Sequence, residues 1–277
     1  MISVLMVVCK TDNYEHLDCA IKSIYELQNY KPTEVVIVIN GSINIYAEFV
    51  LDEWKKKFPN IFKIVFLSGK SMFSTALNLG IKHCTHDLIA RMDPDDICHP
   101  SRLMKQYEYL NKNKDVTICG SAVSLHTHDM KIHLGNRFVP TSHNEIVNFA
   151  KLRCPMNHPT VMIRKSVFDN GIEYSKFTKA QDYALWVKLI LLDYKFYNLP
   201  EVLVKMRMAP EDFAKRGFEQ LCSEIMVLNY HRKLGFLKPH EFLRNALTRL
   251  ATRALPNSLK KFTYKHFILS YKNNKNE

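Results

Sequence analysis

The strongest constraint on this chain is an alternation in its first third. Short Val/Ile-rich runs, apolar throughout, are separated by segments whose apolar residues recur at helical spacing. Residues 3–8 and 34–39 are two such runs, and each stops at a polar turn. A run with no polar alternation suits a strand covered on both faces, as in a parallel sheet. Between the two, Leu17, Ala20, Ile21, Ile24 and Leu27 mark one helical face, so residues 3–39 predict a β–α–β unit. The pattern repeats as a helix over about 45–58, a strand at 62–67, a helix over about 74–83 and a strand at 88–92. The predicted class is α/β, a mostly parallel sheet flanked by helices. Ligands bind such sheets beyond the carboxyl ends of the strands. Three segments lie there: residues 9–13, 40–44 and 93–96.

After residue 96 the pattern loosens. A helix over 101–111 follows Pro100, then a strand at 116–124, a polar hairpin or loop over 126–140 and a helix over 142–151. A short strand at 160–163, a helix over 179–192 and a strand at 201–206 come next. Residues 210–271 read as helical, with breaks at Gly235, Pro239 and Pro256. The chain therefore divides into a larger unit, 1–210, and a helical C-terminal extension, 211–277.

Composition narrows the class. At 47% apolar residues the chain can bury a full core. The apolar start breaks at Cys9-Lys10-Thr11-Asp12 and has no basic leader, so a first strand fits it better than a signal peptide. Nowhere does an apolar run reach the roughly 18 residues a membrane span requires. The seven cysteines form no C-x-x-C pair, which points to reduced thiols in a cytoplasm rather than to disulfides or zinc. The net charge of +12 is concentrated at the end: from Arg232 onward eleven Lys/Arg face two Glu, so +9 lies in that segment.

The sharpest chemical feature is Asp93-Pro94-Asp95-Asp96, directly after an apolar run. Three carboxylates in four residues repel one another unless a cation neutralises them. Hard oxygen donors at a strand end suit Mn2+ or Mg2+. Asp-Pro and Asp-Asp are also ordinary turn residues, so by itself the cluster fits either reading. Asp182, beside Gln181 at the opening of a helix, is either a cap or a general base. His158, between Asn157 and Pro159, is either a satisfied structural residue or part of a site.

Taken together these residues resemble a family. Ala76-Leu77-Asn78-Leu79-Gly80, Leu88 through Ile97, and Pro100-Ser101-Arg102-Leu103 with Gln106 look like the consecutive core of the family 2 glycosyltransferases. Asn157-His158-Pro159-Thr160-Val161-Met162 with Arg164-Lys165-Ser166 is similar to the next block. Gln181-Asp182-Tyr183-Ala184-Leu185-Trp186 with Leu199-Pro200-Glu201-Val202-Leu203 is similar to the third. Order and spacing match over about residues 2–208, and the subgroup most resembled builds bacterial O-antigen, capsule or exopolysaccharide.

The resemblance implies a GT-A fold, a catalytic domain over 1–210, a nucleotide-sugar donor (a UDP-sugar above all), a divalent cation and inversion at the anomeric carbon. It implies Asp95 as the metal-binding carboxylate, Asp93 toward the nucleotide with a share in the metal, and Asp96 in support. Asp182 matches the catalytic base, Asn40 a residue that pairs with uracil, and Cys9 a position that packs on the nucleoside. Arg91 falls in a donor-side block; His158 and Gln181 fall on the acceptor side. The chain departs from the family pattern at Asn40 (usually acidic), Cys9 (often aromatic) and Gln181 (usually Glu), which loosens the expected uridine preference. It also makes Asp182 a weaker base than in relatives carrying that Glu.

The extension adds an amphipathic, cationic helix. Phe242, Leu243, Ala246, Leu247, Leu250, Ala251, Ala254 and Leu255 form a stripe flanked by Arg244, Arg249 and Arg253. It either packs on the core or lies on an anionic bilayer, where it would serve a lipid-linked glycan acceptor from the cytoplasmic face. No nucleic-acid module accompanies the charge. Two other functions fit parts of the pattern. A nucleotidyltransferase would carry a glycine-rich phosphate loop after the first strand, and residues 9–14 hold no glycine. A non-catalytic nucleotide-sugar-binding subunit would tolerate the three departures.

Overall fold

The structure, a computed structural model, describes residues 1–208 and 218–254. The first half follows the alternation: β1 (Ile2–Cys9), α1 (Tyr14–Ile24), β2 (Glu34–Asn40), α2 (Ile45–Lys57), β3 (Phe62–Leu67), α3 (Phe73–His83) and β4 (Leu88–Met92). Their strands lie in the order β3-β2-β1-β4, every pair parallel. Asn13 ends the first turn by capping α1, its side chain accepting from the amides of Glu15 and His16. α1 stops at Ile24, so Leu27 falls outside the stripe assigned to it and is half exposed.

The second half continues the sheet with mixed directions. β5 (Ile97–Cys98), α4 (Arg102–Lys112), β6 (Val116–Thr127), β7 (His133–Arg137) and α5 (His143–Ala150) lead to a 3-10 turn at His158–Thr160 and to β8 (Met162–Arg164). α6 (Ser166–Asp169), α7 (Gln181–Leu191) and β9 (Lys195–Met208) complete it. The order runs on as β4-β8-β6-β9-β5, with β7 pairing β6 as a hairpin. β8 is antiparallel to both β4 and β6, whereas β9 runs parallel to β6. β9 is longer than residues 201–206 because it pairs on both sides of Pro200. The β6 register jumps there, from Ser121 opposite Leu199 to Ala122 opposite Val202, since proline has no N–H to give the ladder.

Both faces of the sheet are covered, as the unbroken apolar strands require. Ile21, Trp54, Leu103 and Leu110, from α1, α2 and α4, pack one face. Leu77, Ile146, Leu185, Trp186 and Leu228, from α3, α5, α7 and the extension, pack the other. Gly80 lets α3 lie directly on the sheet, since a Cβ there would collide with Leu5 and Val38. The extension contains α8 (Phe218–Lys233) and α9 (Pro239–Ala254), separated at Gly235, whose φ is +80°. The expected boundary at 210/211, the break at Pro256 and Leu255 lie outside the described residues. Among those described, no helix is long and apolar enough to cross a membrane. The seven cysteines are free.

Candidate active site

Register brings the three expected segments together. Cys9 sits opposite Asn40, and β4 runs beside β1, so the chain leaves Met92 into the acidic cluster next to both. One carboxylate oxygen from each of Asp93, Asp95 and Asp96 lies within 4.8 Å of the others. Asp93 is held by Arg91 through both guanidinium nitrogens, one bond at 2.6 Å. Asp96 is buried and accepts from the amide of Arg207 at 3.0 Å, while Arg207 Nε donates to the Asp95 carbonyl at 2.6 Å. Burial, and then repulsion from Asp93, push the Asp95 and Asp96 carboxyls above the usual range. Asp12 nearby is pushed up to about 6, by burial first. With Asp93 tied to Arg91, the side-chain oxygens of Asp95 and Asp96 have no ion-pair partner among the described residues. This donor set fits a hard divalent cation, which would relieve the repulsion.

The cluster is braced from below. Arg102 is fully buried, and donates to the Arg91 carbonyl at 2.8 Å and to Gln106 Oε1 at 3.0 Å. Gln106 Nε2 in turn donates to the carbonyls of Cys119 and Thr160, each at 2.8 Å. The Pro100–Gln106 motif therefore fixes the strand end that carries the acids.

Two cavities open beside the cluster. The first, about 420 Å³, is lined by Cys9, Asp12, Phe73, Asp95 and Arg207 among others. The second, about 410 Å³, is lined by Arg91, Phe149, Cys154, His158, Gln181 and Asp182 among others. They meet at Asp93, Arg137 and Met206, which line both.

Asp182 is not the cap of α7. That position is Ala180, held in the left-handed region at φ +59°, and Asp182 follows it into the first turn. Burial raises its carboxyl above the usual range, against bonds from the Tyr183 amide and the Cys154 thiol. The thiol donates to Asp182 Oδ2 at 3.5 Å. His158 is buried against Trp186, with Nε2 3.0 Å from the Tyr174 hydroxyl. Burial, and then Arg91, hold it well below the usual histidine range, so it is neutral near pH 7.

Of the residues singled out from the sequence, Cys9, Asp93, Asp95 and Asp96 line the first cavity, and Arg91, His158, Gln181 and Asp182 the second. Asn40 lines neither. Its side-chain amide bonds the Ser71 backbone, donating to the carbonyl at 3.0 Å and accepting from the amide at 2.9 Å, and keeps a second N–H and a second lone pair. Asp12, Arg137, Cys154 and Arg207 were not assigned roles from the sequence. Asp12 stands within a segment already marked at a strand end, and Cys154 opens the proline-flanked block around His158, so both positions were legible; Arg137 and Arg207 arrive from distant elements with no local pattern.

Comparisons with known proteins bear on the family and the fold. The glycosyl transferase family 2 model matches residues 3–171. The amylovoran biosynthesis glycosyltransferase AmsE of Erwinia amylovora is 33% identical over 95% of this chain and 98% of its own. The UDP-Gal:alpha-D-GlcNAc-diphosphoundecaprenol beta-1,3-galactosyltransferase of Escherichia coli is 32% identical over 96% of each. Among solved structures, S. aureus TarS 1-349 in complex with UDP-GlcNAc superposes with a TM-score of 0.65 at 16% identity, covering 98% of this chain and 76% of that one. The mannosyltransferase PcManGT of Pyrobaculum calidifontis, in complex with GDP-Man and Mn2+, gives 0.61 at 15%, covering 95% and 72%. The structural matches establish a GT-A type of fold. The family match and the near full-length relatives then place the chain in glycosyl transferase family 2, and it is a glycosyltransferase.

Proposed function

We propose that this glycosyltransferase moves a sugar from a nucleotide-sugar, a UDP-sugar first among the candidates, to a hydroxyl of a lipid-linked glycan, inverting the anomeric centre. The observation that carries the reading is the pair of cavities that meet at Asp93, one holding the three-acid cluster and the other Asp182. A diphosphate in the first cavity and an acceptor in the second would approach the sugar from opposite sides, as a single inverting displacement requires. Asp95 and Asp96 are the residues that would hold a divalent cation. When bound, Mn2+ or Mg2+ supplies positive charge that stabilises a departing diphosphate. Arg91 keeps Asp93 fixed at the junction, where it faces both nucleotide and sugar. Asp182 takes the acceptor proton as the hydroxyl oxygen attacks. Its burial strengthens it as a base, opposing the loss of charge that Gln181 brings at the neighbouring position.

Relatives whose names place them in amylovoran synthesis and on a diphosphoundecaprenol acceptor support polysaccharide assembly at the cytoplasmic face of a membrane. Leu243, Leu247 and Leu250 of α9, exposed beside Arg244, support contact with an anionic bilayer there.

The test is transfer or hydrolysis of UDP-sugars with Mn2+. Asp182→Asn should lower turnover by about 10²–10⁴-fold while donor-induced thermal stabilisation persists. Asp95→Ala should lose both. Wild-type turnover in either variant would overturn the assignment.

A further inference from the structure

The β7 hairpin strand delivers Arg137 to the junction of the two cavities, where it is the one cation facing both among the described residues. It is held in place by a dedicated contact. Arg137 Nε donates to Asn157 Oδ1 at 2.7 Å, and Nη2 lies 3.5 Å from Met206 Sδ. Asn157 is only 2% exposed, and its Nδ2 donates to the carbonyls of Ser121 at 2.8 Å and of Arg137 itself at 3.3 Å. The asparagine of the Asn157-His158-Pro159 block is thus spent on aiming a guanidinium.

That guanidinium forms no ion pair among the described residues, and its Nη1 has no protein partner there. The other arginines lining these cavities have partners. Arg91 is bound to Asp93, Arg207 to the carbonyls of Asp95 and His128, and Arg153 lies over the Phe149 ring. A fixed guanidinium with a donor to spare is suited to binding an anionic oxygen of a ligand. When the bond between the anomeric carbon and the phosphate oxygen breaks, its electron pair stays on the phosphate next to the sugar. The acceptor oxygen makes the new bond and its proton passes to Asp182. The developing charge therefore lies between the nucleotide cavity and the acceptor cavity, which is where Arg137 stands.

Building on the donor site proposed above, we propose that Arg137, aimed by Asn157, binds the sugar-proximal phosphate of the nucleotide-sugar and stabilises the charge that develops on it.

The probe pair is UDP and UMP with Mn2+, titrated calorimetrically into the full chain, with GDP and GMP in parallel. Arg137→Gln removes the charge and keeps a polar group for Asn157. It should weaken the diphosphate by about tenfold and leave the monophosphate within about twofold. Turnover at saturating donor should fall by about a hundredfold, since the contact strengthens in the transition state. If Arg137→Gln does not fold, Arg137→Lys, which keeps the charge without the fork, should weaken the diphosphate by about threefold and spare the monophosphate. Equal loss for both ligands, or no loss for either, overturns the assignment to Arg137. A wild-type chain that binds none of the four nucleotides instead overturns the donor site on which it rests.

Discussion

Asp95 and Asp96 are raised by the same two causes, burial and the carboxylates around them, and the sign of the consequence can be worked out. A carboxyl with a folded pKa above its unfolded value costs the fold stability once pH rises through the folded value. A bound cation removes that cost, but only after the protons have left. The gain in Tm on adding Mn2+ should therefore grow from pH 6 to pH 8. A gain that is flat or falls over that range would contradict the cation site. Ala180 offers a second residue-scale test. Its left-handed backbone, just ahead of Asp182, costs a non-glycine residue about 1–2 kcal/mol. Glycine avoids that cost but loses more chain entropy, about 0.5–1 kcal/mol. Ala180→Gly should raise stability by up to about 1 kcal/mol in urea denaturation, and a clear decrease would show that the methyl group is needed where it stands.

At the scale of elements, the C-terminal helix is where the structure most revises the periodic pattern. The single apolar stripe divides into two faces. Ala246 and Asn245 are buried, Asn245 donating to the Lys151 carbonyl at 2.7 Å. Arg249, one of the arginines flanking the stripe, reaches Glu224 on α8 and the Leu152 carbonyl. Leu243, Leu247 and Leu250 point away from the core, exposed by 57%, 56% and 49%. Truncating the chain at Phe242 would therefore damage the core as well as the outer face, and substitution of the outer face separates the two. Leu243→Ser, Leu247→Ser and Leu250→Ser combined should abolish co-sedimentation with vesicles rich in anionic lipid and leave Tm within about 2 °C, as surface changes do. Undiminished sedimentation would place the membrane contact elsewhere or nowhere.

Across the whole molecule, α8 is packed against α7. His231 of α8 is fully buried, its ring 4.5 Å edge-on from Tyr183, the residue after Asp182. Burial pushes its pKa down to about 3, so the fold holds it neutral. A histidine depressed on folding contributes stability above its unfolded pKa, and that stability is lost as pH falls from about 6.5 toward 3. Relative to His231→Phe, which cannot protonate, the wild type should lose about 1 kcal/mol per pH unit below 6.5. Parallel pH profiles for the two would show that the ring is not sealed in.

What the sequence determined by itself was local or repetitive. The unbroken Val/Ile runs demand a sheet covered on both faces, and their alternation with helices fixes the parallel half and which segments follow its strand ends. The order of three motif blocks points to the family, and Asp93, Asp95, Asp96 and Asp182 were visible because each stands at the end or start of a regular element. The tertiary structure alone decided the rest. It set Asn40, which the resemblance had matched to a residue that pairs with uracil, against the Ser71 backbone. It carried Arg137 from a hairpin to the point where the two cavities meet, and set Cys154 against Asp182 from 28 residues away. It also chose which side of α9 to bury. The physical reason is common to all of these. Backbone periodicity is written in neighbouring residues, whereas the partner of a polar side chain is chosen by which distant carbonyls, amides and charges the packed sheet places within 3 Å of it.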